Sequence, residues 1–249
     1  MIPPSRKQKY VREIKLTSPI ETAAPPLKAC SCTLCEDSPN CEILKLNNNK
    51  PPYDRSGNLR NLDEHRVFYE CNKNCRCGPN CFNRVAQKGP RYRLELFKTK
   101  AKGWGVRAAD PIPRGAFIDE YLGELISEQE ADRRGVIYDK NKCSYLFDLD
   151  HQVDKSNAND CSLYTIKAAC YASITRYINH SCDPNTFTKM VLWDHHDVMR
   201  PHLCFFSVKE IRAGEELTFD YKYEFLGSEN TDTRIKCHCG APNCRGFLL

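Results

Sequence analysis

Two runs of cysteine constrain this chain more than any other feature. Residues 30–41 read CSCTLCEDSPNC and residues 71–81 read CNKNCRCGPNC. Cys30, Cys32, Cys35 and Cys41 therefore fall in C-x-C-x2-C-x5-C spacing, and Cys71, Cys75, Cys77 and Cys81 in C-x3-C-x-C-x3-C. Cysteines one residue apart strain badly as a disulfide with each other, but both reach one zinc ion, or two adjacent ones, in tetrahedral sulfur geometry. The polar segment between the runs, about 45–66, has too few apolar residues for a core, so the clusters are expected to supply the fold there. Buried free thiols are the plain alternative, and eight in two tight clusters exceed ordinary core usage.

The N-terminal stretch MIPPSRKQKYVREIKL is basic without an apolar leader-type run, and no segment approaches the roughly 18 apolar residues of a membrane span. An intracellular chain with no membrane partner is expected, and in a reducing compartment 16 cysteines call for metal rather than disulfides. A third group, Cys237, Cys239 and Cys244, offers three thiols where a closed zinc site takes four. Cys182, inside RYINHSCDPN at 176–185, is the candidate fourth, stapling the C-terminal tail over the segment that carries Asn179 and His180. Cys143, Cys161, Cys170 and Cys204 lie outside ligand spacing and read as small hydrophobes. A net charge of +5 tolerates an acidic neighbour without demanding one, so direct DNA binding is not predicted.

Four segments follow from these shifts: an extended N-terminal arm at 1–29, the cysteine-rich segment at 30–90, a strand-rich domain at 91–222, and a cysteine-bearing tail at 223–249. Strands are predicted in YRLELFKT, AFIDEYLGEL, YLFDLD, YTIKAA, TFTKMVLWD, LCFFSVKEI and ELTFDY, each rich in aromatic and branched residues. One helix is predicted over 127–134, where Ser127 and Glu130 have capping-box spacing. A mainly β fold results.

KGWGVRA at 102–108, EYLGE at 120–124, YLFDLD at 145–150, RYINHSCDPN and ELTFDY at 216–221, flanked by the cysteine clusters, resemble the SET-domain protein-lysine methyltransferases in order and spacing. Within that family the chain is most similar to the heterochromatin class, which methylates lysine nine of histone H3, on its first cysteine clusters, LFKTKAKGWGV and CRGFLL. The resemblance implies a SET fold of small curved β-sheets with a knot-like crossing, flanked by zinc-bound pre-SET and post-SET segments. It implies S-adenosylmethionine as methyl donor, the histone H3 tail or nucleosome as partner with heterochromatin proteins beside it, and a place in the nucleus on the chromosome. The chain holds no separate reader domain, so targeting is expected from partners or from the arm.

Residue by residue, the resemblance puts Lys102, Gly103, Trp104, Gly105, Tyr164, Arg176, Asn179, His180 and Tyr221 around the donor, with the glycines letting backbone approach it. Tyr221 is the expected catalytic tyrosine, Tyr145 lines the lysine channel with it, and Phe219 implies two or three methyl groups in the product. The chemistry is an in-line displacement that needs a neutral amine. Deprotonating a free lysine near pH 7.4 costs about 4 kcal/mol, and an apolar aromatic channel beside a cation lowers that cost. Asp148 and Asp150 are open between a peptide-facing role and plain solvation.

Three departures from the family pattern stand out. Its usual nine pre-SET cysteines sharing three zincs are eight here, with Ile43 in a ligand's place, so two or three zincs are expected there and one in the tail; Asp37 or His65 could complete the set. Lys167 and the pair Ala172–Ser173 stand where an acidic residue and a glycine-containing pair are typical, so strain at Ala172 or a rebuilt turn is expected. Another lysine-bearing substrate, or a non-catalytic zinc-dependent chromatin-binding module, remains as an alternative reading.

Overall fold

A computed structural model describes residues 8–16, 26–36, 38, 40–62, 67–139, 145–149, 164–222 and 235–248. Its elements, in chain order, are β1 (Lys9–Tyr10), β2 (Lys15–Leu16), α1 (Glu42–Leu46), β3 (Phe68–Tyr69), β4 (Leu94–Lys98), β5 (Trp104–Ala108), β6 (Phe117–Glu120), β7 (Glu124–Ser127), α2 (Glu128–Asp139), β8 (Leu146–Asp148), β9 (Tyr164–Lys167), β10 (Tyr171–Ala172), β11 (Asn179–His180), β12 (Thr186–Leu192), β13 (His202–Ser207) and β14 (Thr218–Phe219). The fold is mainly β. Among the described residues no helix is long and apolar enough to cross a membrane.

Two four-stranded sheets carry the core, ordered β3-β12-β13-β6 and β2-β7-β9-β8. The β12–β13 hairpin is antiparallel from Thr186↔Ser207 to Val191↔His202, and its branched and aromatic side chains bury Val191, Leu203, Phe205 and Phe206. AFIDEYLGEL reads as one strand but forms two, because the chain changes sheets at Tyr121–Gly123. Tyr121 N–H donates to Leu203 C=O in the first sheet at 2.7 Å, and Gly123 C=O accepts from Lys15 N–H in the second at 2.9 Å. A Cβ on Gly123 would stand 2.5 Å from the Lys167 carbonyl oxygen, so only glycine fits the switch.

The N-terminal arm adds β2 to the second sheet, parallel to β7, while β1 forms a separate two-stranded parallel sheet with β10; Val11, between the two strands in sequence, is buried. Ala172 lies in β10 with a backbone outside the left-handed region, so the expected strain is absent; Ser173 is likewise extended. The segment at 45–66 contributes more core than its polarity predicts, because Tyr53 and Leu59 are buried with Phe117 and Phe206; just before it, Ile43 and Leu44 of α1 pack among the cysteines. The predicted helix exists with the Ser127 hydroxyl accepting from Glu130 N–H at 3.4 Å, and it runs to Asp139 rather than 134. Ion pairs from Arg133 and Arg134 to Glu130, and from Arg134 to Glu124 at 3.0 Å, extend it.

One half-buried ion cluster ties the first sheet to the segment that follows β12. His202 Nδ1 lies 2.7 Å from Glu120 and Nε2 3.2 Å from Asp194, with the Trp193 ring stacked on it at 3.5 Å. Burial alone would push the imidazole down, but hydrogen bonds to Asp194 and Glu120 outweigh it and raise its pKa to about 9. The histidine gains protons on folding, so its contribution is complete below pH ~6.5 and is lost as pH rises through 9. The stability advantage of the wild type over His202→Gln is expected to shrink by about 2–3 kcal/mol between pH 6.5 and 9.5 in urea unfolding; an advantage independent of pH would contradict the charged pairing.

Candidate active site and metal centres

The eight N-terminal cysteines converge from two segments, 30–41 and 71–81, that lie 30 residues apart in sequence. Cys30 and Cys35 sulfurs are 3.5 Å apart, Cys35 and Cys71 3.6 Å, and Cys30 and Cys77 3.9 Å. Three four-thiol sets result: Cys30, Cys32, Cys35 and Cys41; Cys30, Cys71, Cys75 and Cys77; and Cys35, Cys71, Cys77 and Cys81. As thiols they are mutually frustrated. Hydrogen bonds with Cys75 and Cys81 push Cys71 up, and the same contact with Cys71, the largest influence on each, draws Cys75 down to about 5 and Cys81 to about 6. A soft divalent cation resolves this by taking every sulfur as thiolate, which fits zinc. Cys30, Cys35, Cys71 and Cys77 each belong to two sets, so three ions fit if those four bridge. Ile43 is fully buried among the sulfurs and supplies packing where a ligand is missing. Asp37 and His65 lie outside the described residues.

The fourth set is Cys182 with Cys237, Cys239 and Cys244, so the tail reaches the RYINHSCDPN segment as its spacing predicts. Burial pushes Cys237 up to about 12; Cys239, against burial, is brought to about 6 by backbone hydrogen bonds from Cys182 and Ala241. Asn243 Nδ2 donates to Cys182 C=O at 3.2 Å, and Arg245 reaches Asp220 at 2.6 Å. Cys204 is buried as expected, whereas Cys170 is exposed; Cys143 and Cys161 lie outside the described residues.

Immediately before Cys182, β11 pairs parallel with β14, matching Asn179 to Thr218 and His180 to Phe219. The Asn179 side-chain amide is buried and donates to Trp104 C=O at 3.1 Å and to Glu216 Oε1 at 2.9 Å; Glu216 Oε2 holds Lys102 Nζ at 2.8 Å. Lys102, Trp104 and Asn179 are thus one network, with Glu216, which the sequence reading missed, at its centre. Gly103 has φ 76°, a left-handed backbone that favours glycine. Gly105 is constrained from inside the protein: a Cβ there would meet Thr99 Cγ2 at 2.8 Å, and Asn179 Nδ2 and Glu216 Oε1 both at 3.0 Å.

Burial lowers the His180 pKa, helped by Arg245 and Lys102 against Asp220. Its Nδ1 accepts from Tyr221 N–H at 3.2 Å, and the Tyr221 hydroxyl donates to Ile178 C=O at 3.0 Å. Tyr221 is thereby fixed at both ends, against the Phe219 ring at 4.7 Å. Phe219 is walled by Phe205 at 5.1 Å and Phe147 at 6.1 Å, and Tyr121 stands 5.4 Å from Phe147. An apolar aromatic enclosure with one polar rim is the outcome.

The Pre-SET motif matches residues 2–84 and the SET domain residues 103–222. Histone-lysine N-methyltransferase SUV39H2 of Xenopus tropicalis is 38% identical over 96% of this chain and 59% of its own length. The chain spans little more than half of the curated relatives it matches. Neurospora DIM-5, a SET-domain histone lysine methyltransferase, superposes with a TM-score of 0.76 at 31% identity, covering 90% of this chain and 92% of that one. The chain belongs to the SET-domain family. KRYPTONITE in complex with mCHH DNA, H3(1–15) peptide and SAH, a further SET-family structure, gives a TM-score of 0.81 at 30% identity over 100% of this chain and 49% of its own.

Against the SET-family expectation, the structure brings Lys102, Gly103, Trp104, Gly105, Asn179, His180, Phe219 and Tyr221 together around β11 and β14. Tyr145 sits under the Arg176 guanidinium at 3.9 Å, and its hydroxyl and Arg176 Nε are buried without partners among the described residues. Tyr164 opens β9 opposite Ser127. Phe147, Tyr121 and Phe205 were missed. Phe147 carried a signal, since residues two apart on a strand share a face and it follows Tyr145 by two. Asp148 is exposed and accepts from the Thr165 hydroxyl at 2.7 Å; Asp150 lies outside the described residues.

Four sets of thiols make a count. Elemental analysis of the purified chain is expected to give four zincs, and Cys182→Ser three; three or fewer in the wild type would contradict the bridged arrangement.

Proposed function

We propose that this chain is an S-adenosylmethionine-dependent protein-lysine N-methyltransferase acting on lysine nine of the histone H3 tail and adding two or three methyl groups. The observation that carries the reading is Tyr221, locked between His180 and Ile178 at the rim of an aromatic enclosure. The relatives' names as histone-lysine N-methyltransferases support it, as does KRYPTONITE, whose complex holds an H3(1–15) peptide together with SAH, the donor's product. The layout is an arm at 1–29, pre-SET at 30–90, SET at 91–222 and post-SET at 223–249, working on chromatin in the nucleus, with heterochromatin proteins as further partners.

The residues present fit the donor. Tyr145 Oη and Arg176 Nε are buried with no hydrogen-bond partner among the described residues, and the Trp104 backbone is held to β11 by the Asn179 amide at 3.1 Å. When bound, the donor supplies a methyl group on a positively charged sulfur.

Everything else falls to the chain. Phe219, Phe205, Phe147 and Tyr121 withhold water from a lysine side chain entering the enclosure, and low polarity disfavours its ammonium form, so the Nζ proton is left to bulk water. Because the Tyr221 hydroxyl donates its proton to Ile178 C=O, it meets the neutral amine as an acceptor and aims the nitrogen lone pair. His180 holds the Tyr221 backbone through Nδ1, which accepts from Tyr221 N–H. Phe219 has no hydroxyl to fill space or to bond the amine, so a methylated nitrogen can still turn for another transfer.

Mass analysis of H3 tail peptides with S-adenosylmethionine tests this. Wild type is expected to add two or three methyl groups, lost when lysine nine is replaced. Tyr221→Phe is expected to cut the rate by roughly a hundredfold or more with the fold retained, and Phe219→Tyr to stop at one methyl. Undiminished turnover by Tyr221→Phe would sink the assignment.

A further inference from the structure

Glu216 does for the proposed donor site what no residue of the aromatic enclosure does: it ties two separate segments to its own at one carboxylate. Its Oε2 lies 2.8 Å from Lys102 Nζ on the loop before β5, and its Oε1 accepts from Asn179 Nδ2 at 2.9 Å on β11. Its own backbone is held twice. Asn185 Nδ2 donates to Glu216 C=O at 2.8 Å, and the segment pairs antiparallel beside Arg107 of β5. Both side chains of the ion pair are largely buried, at 17% and 25% exposure.

A carboxylate can only accept, so it admits the Asn179 amide in one orientation, with the NH2 group turned inward. The second amide proton then goes to Trp104 C=O at 3.1 Å, which pins the residue expected to wall the donor. Gly105 is part of the same device, because a Cβ would intrude on both the amide and the carboxylate. We propose that Glu216 is a positioning residue for the methyl donor: it sets the Asn179 amide, the Lys102 ammonium and the Trp104 backbone before the donor arrives. The inference rests on the methyltransferase reading, since the donor is what these groups are held for.

Glu216→Gln separates this role from a merely structural one. The replacement keeps size and shape, yet its amide can also donate, so the flipped Asn179 becomes permissible and the Lys102 charge loses its counterion. Titration calorimetry of zinc-loaded protein with S-adenosylhomocysteine is expected to show binding weakened roughly tenfold or more in Glu216→Gln. The KM for the donor should rise in parallel, with kcat at saturating donor and the peptide KM held within about twofold of wild type. Lys102→Met should weaken donor binding in the same way, and the double variant should lose less than the two single losses combined, because both act through one contact. Glu95→Gln, which removes a surface partner of Arg107 instead, should bind as wild type does. Wild-type affinity in a folded Glu216→Gln, or a loss confined to kcat or the peptide KM, would overturn the inference while leaving the enzyme reading intact. Failure of the wild type to bind S-adenosylhomocysteine would overturn the enzyme reading, and the inference with it.

Discussion

The site depends on a parallel pairing only two residues long. Joining Asn179–His180 to Thr218–Phe219 brings the two motif-bearing segments side by side, and such a pair cannot hold itself in water. Its stability is borrowed from its ends. Asn185 donates to both Glu215 and Glu216 and accepts from Thr218 N–H at 2.9 Å, which fixes the strand register from below. Asn179 ties the upper face to β5 through Trp104, and the Cys182 thiol set anchors the far end to the tail. Each contact is worth little more than about 1 kcal/mol net, so the crossing is rigid only because several close on the same few residues.

The metal sets serve the same geometry from outside. Cys182 is two residues from His180, so a metal bound there positions the imidazole and hence Tyr221. The eight-cysteine cluster replaces a hydrophobic core that the segment lacks, and Tyr53, Leu59 and Phe68 join that segment to the first sheet through Phe117 and Phe206. Zinc in these places is folding energy, not chemistry.

Much of this was legible in the residues. Thiol spacing announced the clusters, the three-ligand tail demanded a fourth thiol and Cys182 was the one within reach, and alternating branched and aromatic residues located the long strands. What escaped has a physical reason. Two-residue strands such as β1, β10 and β11 have no period to detect and exist only through their partners. Tyr53 and Leu59 looked like a polar loop because the surface they bury belongs to strands far along the chain. Glu216 was invisible for the same cause: a glutamate in a strand motif gives no sign that its carboxylate will meet Lys102, 114 residues away. Gly105 was assigned a reason, close approach by a ligand, when the nearer cause is the protein's own amide and carboxylate.

On the proposed reading, the β11–β14 pair presents both halves of a methyl transfer, with the donor on the Trp104–Asn179 side and the lysine on the Phe219–Tyr221 side. A crystal structure of the zinc-loaded chain with S-adenosylhomocysteine and an H3 tail peptide tests it most directly. The account predicts the cofactor product against Trp104, Asn179 and His180, with the lysine nitrogen inside the ring of Phe219, Phe205 and Phe147 and within hydrogen-bonding distance of the Tyr221 hydroxyl. A lysine bound outside that enclosure, or a cofactor product lodged away from β11, would contradict it.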